Sequence, residues 1–202
     1  MKKSLIAAAV LTMMVQASQA GTNRARTHDV SFTFRMGAGF PGDINRTHPF
    51  SAIPGLMDST DKVRLYGDPA IINTTAGTYR GYKAGDTITA IAGVLVRPYP
   101  VQQTTGGMAA SLGAATPPDG PAVIDVLEDG YIMVKCNDFA AAPCAKGGKV
   151  YVRIAATSGT KIQGGFHAAA DSTNTLEITN AQWHSSPDQN GVAELRVWKE
   201  RQ

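Results

Sequence analysis

Residues 123–135 read VIDVLEDGYIMVK: two runs of branched, aliphatic and aromatic residues, Val123–Leu127 and Tyr131–Lys135, with Glu128-Asp129-Gly130 between them. Branched and ring-bearing side chains favour extended backbone because they pack well on a pleated surface, and an Asp-Gly step is turn chemistry. The stretch therefore predicts two short strands joined by a turn. The strand signature recurs at Val30–Met36, Val63–Tyr66, Ile88–Val96, Val150–Ala155, Leu176–Ile178 and Val192–Trp198. Turn residues punctuate the intervals at Gly67-Asp68-Pro69, Ala84-Gly85-Asp86, Pro117-Pro118-Asp119-Gly120, Lys146-Gly147-Gly148 and Gln189-Asn190-Gly191. Beyond the first twenty residues no helical period survives for a dozen residues. Many short strands without alternating helices predict an all-β fold, an antiparallel β-sandwich or β-barrel with long loops. The strongest strand patterns place Trp198, Leu195, Val192, Tyr151, Val152, Ile154, Ile132 and Val134 in the core. Trp183 is followed by loop residues and is assigned to an interface, where tryptophan is enriched.

The 202 residues are 43% hydrophobic and 17% charged, a balance that supports a folded core and excludes disorder as the main state. Gly 21 and Pro 11 occur without a Gly-X-Y period, so they mark turns and not collagen. Lys and Arg number 19 against 16 Asp and Glu, a net charge of +3. Without Lys2 and Lys3 the count is 17 against 16, which gives no basic surface of the kind that nucleic acid requires. No apolar run reaches the 18 or so residues of a membrane-spanning helix, and no membrane partner is expected.

The chain divides into an N-terminal arm, residues 1–35, and a β-rich domain, residues 36–202. Lys2 and Lys3, the apolar run Leu5–Val15 and the small residues Ser18 and Ala20 match a secretory leader. The same stretch, Ser4–Ala17, is rich in good helix formers and apolar on every face, as a helical arm buried between subunits would be. Arg24, Arg26 and Arg35 then face one acid, Asp29, in a mildly basic segment. Pro98–Asp119 is a long excursion of small, uncharged side chains, an inter-sheet crossover or a contact loop.

Catalytic and cofactor motifs fail on inspection. Gly37, Gly39 and Gly42 fit G-x-G-x-x-G, but Pro41 lies inside the motif and Asn45–Pro49 cannot open the helix that a dinucleotide pyrophosphate needs, so a turn is read here. His28, His48, His167 and His184 share no metal-ligand spacing. Ser185, Ser186, His184 and Asp188 lie within five loop residues, too close in sequence for triad geometry. No cofactor and no enzymatic activity are expected. Cys136 and Cys144 flank a loop, and a disulfide there would close a nine-residue ring and stabilise the fold by about 2.5 kcal/mol. An oxidising compartment favours that bond, whereas a bacterial cytoplasm leaves two thiols.

From about residue 34 to 202 the chain resembles the tailed-bacteriophage structural cement, or capsid decoration, proteins. The resemblance is carried by Arg35–His48 (RMGAGFPGDINRTH), Gly93–Gln103 (GVLVRPYPVQQ), Leu112–Pro118 (LGAATPP), Asp125–Val134 (DVLEDGYIMV), Gly147–Ala156 (GGKVYVRIAA) and Gly164–Gly191. Met1–Ala20 is an addition to the family pattern. The resemblance implies a small β-rich protein without catalytic residues, bound as oligomers to the outside of a shell of phage major capsid protein. A homotrimer is expected in preference to a dimer, assembled in the host cytoplasm and carried on the virion. On this basis the arm, the loop Gly37–Phe50 and the excursion Pro98–Asp119 supply shell or sister-subunit contacts. The candidate contact residues are Arg24, Arg26, Arg35, Phe40, Asp43, Arg46, His48, Arg97, Tyr99 and Trp183. The competing expectation takes the leader at face value: a secreted or periplasmic β-sandwich binding module with a cleaved signal peptide and a Cys136–Cys144 disulfide.

Overall fold

The structure, a computed structural model, describes residues 39–44, 46, 49–98, 116–118 and 121–199. The arm, the strand expected at Val30–Met36 and most of the excursion lie outside them. Among the described residues ten strands form: β1 Ser51–Leu56, β2 Pro69–Asn73, β3 Thr78–Arg80, β4 Gly93–Leu95, β5 Val123–Asn137, β6 Val150–Arg153, β7 Phe166–His167, β8 Thr175–Ile178, β9 Ala181–Trp183 and β10 Val192–Val197. The described residues are all-β, as the sequence reads, with a single 3₁₀ turn among them at Ser172–Asn174.

The stretch expected to turn does not. Val123–Asn137 is one strand of 15 residues. Glu128-Asp129-Gly130 forms a bulge within it: Ala52 of β1 pairs with Leu127 but Ser51 pairs with Asp129, leaving Glu128 as the extra residue. Gly130, at φ +144°, takes a backbone conformation that other residues rarely adopt, so the Asp-Gly chemistry bends the strand without reversing it. The extra residue also shifts the side-chain alternation by one. Leu127 before the bulge and Ile132, Val134 and Cys136 after it all enter the same core, although strict alternation would have separated them.

β5 is the spine of one mixed ten-stranded sheet. The order β3-β2-β4-β5-β7-β6-β8 runs across it, while β1 and β10 also pair with β5 and β9 lies beside β10. Every pairing is antiparallel except β5 with β7. The main core gathers Ile132, Val134, Val150, Val152, Phe166, Trp183, Leu195 and Val197 with their neighbours. A second core packs Ile124 and Val126 against Met57, Val63, Tyr66, Tyr79 and Leu95. Of the expected core, Ile132, Val134, Val152, Val192 and Leu195 are buried, and Tyr151, Ile154 and Trp198 are half-buried.

Other expectations are corrected. Val63–Tyr66 is not a strand: Val63 and Tyr66 are buried, but Asp68 N donates to Leu65 O in a turn and no strand among the described residues pairs with the segment. Ile88–Val96 contracts to the three residues of β4. β1 was hidden because Pro54 and Gly55 break its pattern. Proline is tolerated there because, among the described residues, β1 pairs with a strand, β5, along one edge only. Gly55 is required because a Cβ at that position would lie 2.2 Å from the Tyr79 ring. β3, β7 and β9 have two or three residues, too few to show a period.

One polar group closes the main core. Asn180, 3% exposed, accepts from Ile91 N at 2.9 Å and donates to Ile91 O at 2.8 Å and Trp198 O at 3.2 Å. It replaces the strand partner that Ile91 lacks.

Candidate contact surface

Two faces of β5 and β10 have different fates. Ala193, Leu195 and Val197 of β10 enter the main core with Ile132, Val134 and Cys136. The alternate positions pair on the opposite face: Val192 with Lys135, Glu194 with Met133, and Arg196 with Tyr131. Polar and aromatic groups cover this face. Arg46 reaches across 148 residues of sequence to Glu194, its Nε donating to Oε1 at 2.5 Å and its Nη2 to Oε2 at 2.6 Å. The pair is half in water: 47% of the Arg46 side chain is exposed against 7% of Glu194.

Tyr131 is the centre of this layer. The Arg46 guanidinium carbon lies 4.8 Å from its ring centre and that of Arg196 5.0 Å, and the His184 ring meets it edge-on at 4.9 Å. Cations over an aromatic face are attracted by its quadrupole, by about 0.5–1 kcal/mol each at exposed sites. Arg196 is anchored by Asp129 at 2.5 Å and by the Gly130 carbonyl at 3.1 Å. His184 Nε2 stands 4.0 Å from Glu194, and Ser185 Oγ accepts from Glu194 N at 2.9 Å. Asp188 accepts from Asn190 N and Val192 N, both at 2.8 Å. Residues 184–188 are thus occupied in building this turn and strand entry.

The glycine loop adds a second stack beside it. Phe40-Pro41-Gly42-Asp43 is a tight turn in which Asp43 N donates to Phe40 O at 3.1 Å and Phe40 N to Asp43 Oδ2 at 3.3 Å. Its backbone docks on β5 through Gly42 N to Met133 O at 2.7 Å and Met133 N to Asp43 O at 2.9 Å, and Arg97 N donates to Gly42 O at 2.9 Å. Gly42, at φ +92°, has no room for a side chain: a Cβ would stand 2.9 Å from that of Tyr66. The motif that mimics a nucleotide loop is a docking turn. It lifts Phe40, 57% exposed, under the Arg97 guanidinium, whose carbon is 5.0 Å from the ring centre. Phe50, 55% exposed, packs over Gly130 next to Tyr131 in the strand. Leu56 and Val123, cross-strand partners at the far end of β1, are also exposed, Val123 by 78%.

Phe40, Asp43, Arg46 and Arg97 therefore lie on the glycine turn and its flanks. Arg24, Arg26, Arg35, His48 and Tyr99 lie outside the described residues. Trp183 is corrected: at 1% exposure it is the largest fully buried side chain, edge-on to Phe166 at 6.3 Å. It belongs to the core because β9 pairs with β10 in register Leu195 with Trp183, which turns both residues inward. Tyr131, Glu194 and Arg196 were not singled out by sequence as contact residues, and His184 was weighed there only among the histidines and the loop residues 184–188. The alternation of Tyr131 and Arg196 against the apolar residues beside them is the signal that could have identified them. Cys136 and Cys144 are both free thiols, buried in the main core. Among the described residues no group of three His, Cys, Asp or Glu is arranged to hold a metal ion.

Residues 29–197 match the family model described as structural cement protein (E217 gp24/Pam3 gp6). A search of curated proteins gave no match. Among solved structures, a chain from the capsid of Myoviridae phage XM1 has a similar fold, with a TM-score of 0.56 and 20% sequence identity. The match covers 82% of this chain and 94% of that one.

Proposed function

Because the chain belongs to the phage structural cement protein family, we propose that it clamps the phage head from outside, binding the major capsid protein as a homo-oligomer, a trimer in preference to a dimer. The role is mechanical: it bridges neighbouring shell subunits and transforms no molecule. It joins the particle in the host cytoplasm and stays on the outer surface of the virion.

The observation that carries this reading is the pair of aromatic–guanidinium stacks, Phe40 with Arg97 and Tyr131 with Arg46 and Arg196, held side by side on the rigid spine of the sheet. Arginine and aromatic residues dominate the energetics of protein interfaces, since they offer large contact area with few rotamers to immobilise. The backbone bonds of the glycine turn and the two-point grip of Glu194 on Arg46 fix these side chains before any partner arrives, which lowers the entropy cost of docking. Phe50 extends the same surface with an exposed ring. Each contact can be weak. An oligomer engaging several shell subunits raises retention by about 100 to 10,000 fold over one contact.

The test is addition of the purified chain to undecorated, expanded heads, with bound copies counted after sedimentation. Saturable binding is expected, and the double variant Phe40→Ala, Arg97→Ala should weaken it by at least about tenfold, near 1.4 kcal/mol per contact, with an unchanged melting midpoint. Absence of saturable binding by the unaltered chain would overturn the proposal.

A further inference from the structure

We infer that the groove beside Trp198 is a binding site for one residue of a neutral glycan, with the indole as the surface on which the sugar ring lies. The groove has a volume of about 310 Å³, at the lower end of the range of small-ligand sites. Four segments supply it: the approach to β6, the end of β8, the start of β9, and Trp198 just after β10. Gly147 and Gly148 line it with backbone alone. They are joined to β9 by Gly147 N to Trp183 O at 2.7 Å and Trp183 N to Gly148 O at 3.2 Å. A Cβ on Gly148 would stand 2.8 Å from Ala145 O, so packing keeps that position bare.

The rest of the lining selects the chemistry of the ligand. Lys149 Nζ holds both carboxylate oxygens of Glu177, Oε1 at 2.9 Å and Oε2 at 3.0 Å. The two charges cancel, and the groove favours a neutral ligand over a phosphate or a charged peptide. Ile178 and Ala181 are buried, so Trp198 supplies most of the apolar surface, too little for the face of an amphipathic helix. Beside it stand donors and acceptors together: the Gln182 amide, the Thr179 hydroxyl and the Lys149–Glu177 pair. A hydroxyl both donates and accepts, so a ring bearing several of them matches this mixture. The C–H face of a pyranose, weakly positive, suits the negative face of an indole.

The site is built before a ligand arrives. Trp198 N donates to Asn180 O and Asn180 Nδ2 to Trp198 O, both at 3.2 Å, and Asn180 is itself 3% exposed. Gln182 is oriented by its Nε2 donating to Gly147 O at 3.0 Å. Fixing these groups in advance lowers the ordering cost of binding. Trp198 nevertheless stays half-buried, while Val192–Leu195 and Val197 before it are buried. One sugar on one indole gives millimolar affinity. Repetition of the site over a decorated head, which rests on the proposed function, raises the avidity for a glycan-coated surface.

The test uses the full chain and the methyl β-glycosides of glucose, galactose and N-acetylglucosamine, with the methyl glucuronide as a charged control. Saturation-transfer NMR should show ring C–H contacts with at least one neutral glycoside, saturating at millimolar concentration. The fluorescence of Trp198 should shift in parallel, read in Trp183→Phe, where it is the remaining tryptophan. Trp198→Leu should weaken binding by at least about tenfold. Gln182→Ala, at an exposed position, should weaken it by about threefold with an unchanged melting midpoint. The inference is overturned if no neutral glycoside saturates, if both variants bind as the parent does, or if the glucuronide binds as well as the glucoside. It is equally overturned if heads, and not glycosides, shield Trp198 from acrylamide quenching, which would assign the groove to the shell. The glycoside titrations contain no heads, so failure of shell binding leaves their outcome untouched.

Discussion

Replacing Trp183 with alanine separates two roles for this residue, core anchor and interface contact. The indole is 1% exposed and meets Phe166 edge-on at 6.3 Å. Truncating a fully buried tryptophan costs about 3–5 kcal/mol, the sum of lost transfer energy and the cavity left behind. The aromatic pair with Phe166, worth about 0.5–1.5 kcal/mol, places Trp183→Ala towards the upper end of that range. For a domain of this size, with a urea dependence of about 2 kcal/mol per molar, the unfolding midpoint should fall by about 1.5–2.5 M. Trp183→Phe should cost far less, under about 1.5 kcal/mol, because a ring still packs on Phe166 and the lost indole N–H has no hydrogen-bond partner among the described residues. The assay is urea unfolding followed by the fluorescence of Trp198, the remaining tryptophan in both variants. A midpoint for Trp183→Ala within about 0.3 M of the parent chain, together with lost binding to heads, would refute the core assignment and restore Trp183 to the contact surface.

Burial lifts the Asp68 carboxyl to about 7 despite the Arg64 guanidinium at 2.9 Å. Its folded pKa lies above the unfolded value near 3.9. Its contribution to stability is therefore fully present below about pH 4, falls as pH rises, and levels off above about 7. Asp68→Asn should remove this slope, gaining on the parent by on the order of 3 kcal/mol between pH 4 and 7.5; urea titrations giving a pH-independent difference would contradict it. Asn180→Ala strips the Ile91 N–H and C=O of their partners and should cost about 2–4 kcal/mol, measured as a thermal shift against Asn180→Asp. Deleting residues 1–35 should lower the number of copies per particle while leaving the melting midpoint of the β-rich domain unchanged, and full occupancy would remove the arm from the contact surface.

The strands carrying a clear pattern were legible. Val150–Arg153, Thr175–Ile178 and Val192–Val197 fall where the apolar alternation places them. The glycine loop was legible as a turn, because Pro41 excludes the helix that its motif would need. What stayed hidden depended on distant residues. Pro54 and Gly55 lie in β1 because β5 pairs with one edge and the Tyr79 ring fills the space a Cβ would take. Val63–Tyr66 has strand chemistry but no strand among the described residues pairs with it, and Val63 and Tyr66 serve the second core from a coil.

The amino-acid order alone determined the class of the fold, the position of most turns and the family pattern. Those depend on local backbone preference and on the period of apolar residues, which neighbours in sequence set between themselves. Tertiary structure decided whether Glu128-Asp129-Gly130 would reverse the chain or bend it. Both outcomes suit an Asp-Gly step locally, and only the pairing of β1 and β10 with the two halves of β5 selects the bend. The same long-range pairing turned Trp183 inward and brought Arg46 to Glu194 across 148 residues. No local preference encodes contacts of that span; they exist because burying the spine on one face leaves the other to be covered by whichever charged and aromatic groups the fold delivers there.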